Sequence, residues 1–273
     1  MKPFPLTFAL LSAAIFCLSD QMAIRLEAVP SVSLSADEVV RQAVVRNQQT
    51  ASPQTRYFYD KTTVNEEMDD KGRIKERKEK LYQAKVESGW THFKLVKVDG
   101  RQLSAGELRR QEDQEAENRQ QFFASKDGGD NRENFLTPEI TSKYTYRLLE
   151  SQVVRGRPAY VIAFQPRAGL PVRKIADRLL NSVSGQVWID QADFEIARAE
   201  VHLKNELSLW GGLVGVLRKL DFALERSRLE DGSWFAVASQ GDFQGRKLWD
   251  STHVKTRSEC NNFRKAAPAL RKG

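Results

Sequence analysis

Gly185-Gln186-Val187-Trp188-Ile189-Asp190, then Gln191-Ala192-Asp193-Phe194, then Glu195-Ile196-Ala197-Arg198-Ala199-Glu200 reads as strand, turn, strand. The hairpin is expected to join 184–190 to 195–204, with Asp193 as ordinary turn chemistry, because an Asp side chain can hydrogen-bond its own backbone nearby. Similar units lie on either side. Residues 144–154 pair with 159–165 across Arg155-Gly156-Arg157-Pro158, and 218–229 alternate at Leu220, Phe222 and Leu224. That strand turns at Glu230-Asp231-Gly232-Ser233 and returns as 234–243, and 248–260 finishes the sheet. Short turns join only antiparallel neighbours, so the units make an antiparallel meander. Alternation gives it one buried and one wet face, and the apolar face must be covered by curling or by helices.

The first half continues the pattern with more charge. Tyr57-Phe58-Tyr59 and Thr62-Thr63-Val64 are strand formers, and Asp69-Asp70-Lys71-Gly72 supplies a turn. Residues 74–86 return as the exposed arm of a long hairpin. Residues 90–98 alternate, and Asp99-Gly100 makes a tight hairpin turn. Two helices carry capping boxes: Ser35 with Glu38 opens one running to about Gln49, and Ser104 with Glu107 opens a polar one to Ser125. Val39, Val40, Ala43 and Val44 give the first helix an apolar stripe that needs a sheet. The second has too few apolar residues to be buried, and 126–134 is a connector.

Of 273 residues, 40% are hydrophobic and 29% charged, which suits a globular chain. The net charge is +7, and residues 141–273 hold 22 Lys and Arg against 14 Asp and Glu. A basic half can meet anionic lipid head groups or an acidic protein partner. No arginine-rich helix or RNA-binding aromatic signature accompanies it, so nucleic acid is not expected.

Lys2 precedes an uncharged apolar run from Phe4 to Leu18, which suits the hydrophobic region of a secretory signal. Cleavage is expected after Ser19, with Cys17 and Ser19 at the −3 and −1 places, or as late as Ala28. Phe16 before Cys17 argues against lipid attachment there. The mature chain is expected to be one β domain over 30–265, with a charged helical insertion at 104–134 and a disordered tail at 266–273. Its destination is the periplasm, or the cell exterior. Only Cys260 then remains, so no internal disulfide can hold the fold.

A search for chemistry returns little. His92, His202 and His253 fall in separate strands without metal-ligand spacing. No phosphate loop, dinucleotide fingerprint or nucleophile elbow occurs, and Ser182-Val183-Ser184-Gly185 reads as a turn. Asp190 and Asp193 are the nearest thing to a carboxylate pair. No catalytic residue, metal or cofactor is expected. The unusual stretch is Leu207-Ser208-Leu209-Trp210-Gly211-Gly212-Leu213-Val214-Gly215-Val216-Leu217, apolar and uncharged between charged strands. It either completes the core as a bulge or short helix, or lines or closes a hydrophobic pocket, or touches a bilayer or partner. Residues 170–180, with Leu179 and Leu180, have helical spacing and suit a lid on the same opening.

The hairpin around Trp188, the Gly-Arg-Pro turn over 154–163 and an amphipathic helix soon after a signal resemble the periplasmic lipoprotein-carrier superfamily of the LolA, LolB and RseB type. The resemblance covers roughly 144–263 plus the first helix. It implies a mainly β fold: a curved antiparallel sheet, or unclosed β-barrel, with helices covering a hydrophobic cavity for acyl chains. A non-catalytic carrier or sensor of lipid or lipoprotein is therefore expected, with Leu179, Leu180, Trp188, Leu207, Leu209, Trp210, Leu213, Val214 and Leu217 lining or closing the cavity. The alternative is an envelope structural or protein-interaction module that docks an acidic partner through the basic second half.

Overall fold

A computed structural model describes residues 34–49, 57–87, 90–124, 136–172, 175–209, 215–247 and 250–265. The expected signal over 1–19, the connector over 126–134, the tail over 266–273, and Trp210, Leu213 and Val214 lie outside them. The chain divides into two compact units, Met1–Leu34 and Ser35–Gly273, and every element lies in the second.

Its strands are β1 (Tyr57–Met68), β2 (Ile74–Glu87), β3 (Trp90–Val98), β4 (Arg101–Gln102), β5 (Tyr144–Leu148), β6 (Gln152–Val154), β7 (Arg157–Pro166), β8 (Val183–Asp190), β9 (Ile196–Leu203), β10 (Leu207–Leu209), β11 (Gly215–Arg228), β12 (Trp234–Lys247) and β13 (Asp250–Lys265). The helices are α1 (Ala36–Gln49), α2 (Ala105–Ala124), α3 (Pro138–Thr141) and α4 (Ile175–Leu180). The predominantly β class, the hairpins and both long helices thus stand where the sequence puts them. Asp99 and Gly100 at φ 49° and 77° form the left-handed pair that a tight hairpin turn requires.

Three elements differ from expectation. The strand expected over 144–154 is split into β5 and β6, both lying beside β7. The helix expected over 170–180 is only α4, because Gly169 at φ 75° and Pro171 set a non-helical path before it. In the apolar stretch 207–217, expected as a bulge or short helix or as a pocket lining, the described residues are strand. Leu207, Ser208 and Leu209 pair with Leu217, Val216 and Gly215 as a short hairpin.

Among the described residues all 13 strands form one antiparallel sheet in the order β4-β3-β2-β1-β13-β12-β11-β9-β8-β7-β5, with β10 beside β11 and β6 beside β7. The second half runs inward from the β5 edge, and its last strand pairs with the first strand of the chain, Tyr57 opposite Lys265. The two end strands do not meet, so the sheet is not closed into a barrel.

Side chains directly opposite on antiparallel neighbours share a face. One row crosses nine strands as Leu148, Ile162, Val187, Ala199, Leu224, Ser239, Ser258, Thr63 and Lys80. The next row on the same face is Tyr146, Phe164, Gly185, Val201, Phe222, Gly241, Thr256, Asn65 and Lys78. At Gly185 a Cβ would stand 1.9 Å from the Glu200 carbonyl oxygen and 3.0 Å from the Phe164 ring, so no larger residue fits. This is the apolar face. The row between them points the other way and is mostly polar: Arg147, Ala163, Gln186, Glu200, Ala223, Gln240, Arg257, Val64 and Glu79.

Helix α1 buries Val39, Val40, Ala43 and Val44 and lies against β5 and α3. On β5, Tyr144 is buried and Tyr146 partly so, while Thr145 and Arg147 on the other side are exposed, which puts the helix over the apolar face. A second cluster of Tyr57, Tyr59, Ala84 and Phe235, with Phe263 against it, is built from edge-on and stacked aromatic contacts.

The turn between β8 and β9 ties these parts together. Asp190, 1% exposed, takes Nε and Nη2 of Arg157 at 2.6 and 2.8 Å, and its Oδ1 accepts the backbone N–H groups of Ala192 and Asp193. Asp193 accepts from Trp234 Nε1 at 3.0 Å and pairs with Arg228 at 2.9 Å. Buried Glu195 meets Arg226 at 3.0 Å and Arg46 of α1 at 3.3 Å. Burial works to raise the Asp190 pKa, but Arg157 and the two turn N–H groups outweigh it, so the carboxyl is held below its usual range. A depressed carboxyl contributes stability above its unfolded pKa, about 3.9, and loses it as pH falls through the folded value. Asp190→Ala should therefore cost about 3 kcal/mol at pH 7. The gap from wild type in urea unfolding should narrow at pH 3, and an equal gap at both pH values would refute the ion-pair account.

Candidate functional site

The charged face carries an open trough of about 670 Å³, lined across β2, β1, β13, β12, β11 and β9. Its floor is another register row: Arg77, Glu66, Lys255, Asp242, Asp221 and His202. Asp221 and Asp242 stand directly opposite, an arrangement that is destabilising unless a cation intervenes. Lys219 supplies it, with Nζ 3.1 Å from Asp221 Oδ2 and 2.9 Å from Asp242 Oδ2. His202 Nδ1 donates to Asp221 at 2.8 Å, and His253 Nε2 to Asp242 at 2.9 Å.

These contacts leave both carboxyls below their usual range. For Asp221 the His202 hydrogen bond leads, while for Asp242 burial opposes the shift and Lys219 and His253 overcome it. Lys219 is raised, first by Asp242 and then by Asp221. Two of the three histidines thus share one network that their sequence spacing concealed. His92 lies apart on β3.

Ser184 stands opposite His202, which stands opposite Asp221, so Ser, His and Asp occupy three neighbouring strands. Ser184 Oγ is not hydrogen-bonded to His202, and β8 pairs on both sides, which commits its backbone N–H groups to the ladder. An activated nucleophile needs the first contact and an oxyanion needs free donors. No group of three or more His, Cys, Asp or Glu residues among those described is placed to hold a metal ion. Asp190 and Asp193, the carboxylate pair legible in the sequence, are spent on the turn.

The basic excess of the second half does not gather on this face. Arg198 pairs with Glu200, Arg257 with Glu259 at 2.6 Å, and Lys219 with its two aspartates, so the signs alternate.

On the apolar face, coverage falls away from β7 toward β12. Ile162 is fully buried, whereas Val187, Val201, Phe222, Leu224, Phe243 and Val254 are all partly exposed. Leu217 stands opposite Gly245, two residues beyond Phe243, so Leu217 and the buried Leu207 opposite it join this face. Helix α4, with Leu179 and Leu180, bridges the same end. Tyr144 donates its hydroxyl proton to the Leu180 carbonyl at 2.7 Å, and Arg178 donates to the Ser208 carbonyl at 3.3 Å. Burial pushes the Tyr144 hydroxyl up to about 12.

The structure therefore sets α4, which carries Leu179 and Leu180, beside β10, where Leu207 stands opposite Leu217 and Leu209 opposite Gly215. Trp188 lies elsewhere. It packs on the opposite face with Ala159 and Val161, beneath Val154 of β6, its Nε1 donates to Gln152, and the Arg198 guanidinium lies 4.9 Å over the ring. Sequence reasoning missed the Lys219 network and the grading of the apolar rows, since both depend on which residues of neighbouring strands stand opposite one another.

No family model and no curated protein matches the chain. Among solved structures it is similar to a DUF1329 family protein from Desulfovibrio piger, with 13% identity, a TM-score of 0.36, and coverage of 86% of this chain and 95% of that one. It is also similar to a putative outer membrane lipoprotein-sorting protein domain from Vibrio parahaemolyticus, with 11% identity, a TM-score of 0.37, and 86% and 95% coverage. A LolA superfamily protein from Nitrosomonas europaea matches with 11% identity, a TM-score of 0.30, and 86% and 96% coverage.

Replacing Lys219 by Met should cost about 1 kcal/mol at pH 7, a surface-pair magnitude, by leaving two carboxylates face to face. Both depressed carboxyls hold their contribution above the ordinary carboxylate range and lose it in acid. Thermal melts of the variant and wild type should converge near pH 3, and a constant offset would rule this out.

Proposed function

We propose that this chain is a non-catalytic binding protein of the cell envelope, reached by export, that holds an acyl chain against the apolar face of its sheet. The observation that carries the reading is the partial exposure of neighbouring large apolar side chains in mid-sheet: Val187, Val201, Phe222, Leu224 and Phe243. A sheet interior closed by its own helices would bury them as it buries Ile162 and Ile189. Helix α4 and the β10–β11 hairpin flank the open stretch, which gives an acyl chain a floor and a rim. Each methylene moved from water onto that floor contributes about 0.8 kcal/mol, so binding needs no polar chemistry. The distant likeness to lipoprotein-sorting structures agrees with this but does not carry it.

Native mass spectrometry and organic extraction of protein purified from an envelope fraction should recover acyl-bearing ligands. Phe222→Asp places a carboxylate in the middle of the floor and should reduce the recovered lipid at least about tenfold, with the far-UV circular dichroism unchanged. Protein that carries no lipid and binds no fluorescent fatty-acid analogue would refute the reading.

A further inference from the structure

Two neighbouring rows of the apolar face are graded along their whole length, while the row beyond them, Leu220, Phe243 and Val254, ends at Glu67 and Glu76. The first passes from Leu, Ile, Val, Ala and Leu through Ser239, Ser258 and Thr63 to Lys80. The second passes from aromatic and aliphatic residues through Thr256 and Asn65 to Lys78. Apolar, hydroxylic and cationic strips therefore succeed one another across strands, in the order of the parts of an anionic amphiphile. Neighbouring strands lie about 4.8 Å apart, so Leu224 and Lys80 are separated by roughly 19 Å, comparable to an extended acyl chain with its head group.

We infer that the ligand is a single-chain amphiphile with an anionic head group, its phosphate or carboxylate held between Lys61 and Lys80 beside the hydroxyls of Thr63 and Ser258. This rests on the acyl-chain reading above and adds the chemistry of the head. Lys61 stands opposite Tyr82 and Lys80 opposite Thr63, so the lysines are diagonal neighbours on one face. A diagonal pair is roughly 7–8 Å apart, which leaves room for one anion between the ammonium groups. Thr63 Oγ1 and Ser258 Oγ, 3.0 Å apart, already share a hydrogen bond and have donor and acceptor capacity to spare. Lys61 is steadied by the Phe93 ring, with Nζ 5.2 Å from its centroid, and both lysines are partly buried. Lys78 is a lesser contributor because Glu76 holds it at 3.4 Å.

The test is displacement of a fluorescent fatty-acid analogue from the full chain by dodecyl phosphate, dodecanoate, dodecanol or inorganic phosphate. Dodecyl phosphate and dodecanoate should compete at least about tenfold more strongly than dodecanol, a margin ordinary for charge-assisted contacts. Inorganic phosphate should not compete. In Lys61→Gln/Lys80→Gln the three dodecyl compounds should become equivalent, while the melting temperature and dodecanol affinity stay near wild type. Equal competition by dodecanol in the wild type, or a preference that survives the double substitution, overturns the head-group site and leaves the acyl floor standing. If no dodecyl compound competes, both readings fall. Displacement by inorganic phosphate alone would mean that the lysines serve free phosphate instead of an amphiphile.

Discussion

Asp190 is the point on which the second half of the fold turns. Its carboxylate does two jobs at once: it closes the β8–β9 turn by accepting backbone N–H groups, and it anchors Arg157 at the start of β7. The next residues of the same turn reach outward, Asp193 to Trp234 and Arg228, Glu195 to Arg226 and to Arg46 of the first helix. Three further strands, β7, β11 and β12, and one helix are reached by side chains that leave from a six-residue turn. Because Asp190 and Glu195 are buried, each must be paired where it stands, and that demand sets the strand positions. The register of the rows that cross the sheet is a consequence.

With the register set, the two faces acquire opposite characters. The charged face neutralises itself locally: an Asp opposite an Asp is made tolerable by one lysine and two histidines. The apolar face is covered by the first helix at the β5 end and thins out toward the centre. That asymmetry leaves a packed end that supplies stability and a thinly covered stretch of partly exposed apolar side chains. The first hairpins extend the same face with hydroxyls and lysines, which turns a hydrophobic surface into an amphipathic one.

The residues that set this character were named by the sequence for other reasons. Phe222 and Leu224 were legible as positions on one face of an alternating strand, and Leu207 and Leu217 as parts of an unusual apolar stretch. Trp188 stood out as the most conspicuous aromatic of the hairpin, yet alternation alone places it on the face opposite Val187 and Ile189, where β6 covers it. Lys61 and Lys80 gave no signal at all, because a lysine in a charged strand looks like a solvated one until the opposite strands are known.

By itself the sequence determined the strands, their turns and the two capped helices, because alternation, Asp-Gly turns and capping boxes are local interactions between residues a few positions apart. It also determined that one side of each hairpin would be oily. Only the tertiary structure decided that the last strand lies beside the first, with Thr63 against Ser258. That pairing joins residues almost two hundred positions apart, and no local pattern encodes it. The hydroxyl strip and the lysines beyond it arise from that one long-range register, while the histidine–aspartate–lysine network arises from the nearer β9–β11, β11–β12 and β12–β13 pairings, since which side chains share a face is a property of neighbouring strands and not of any one of them.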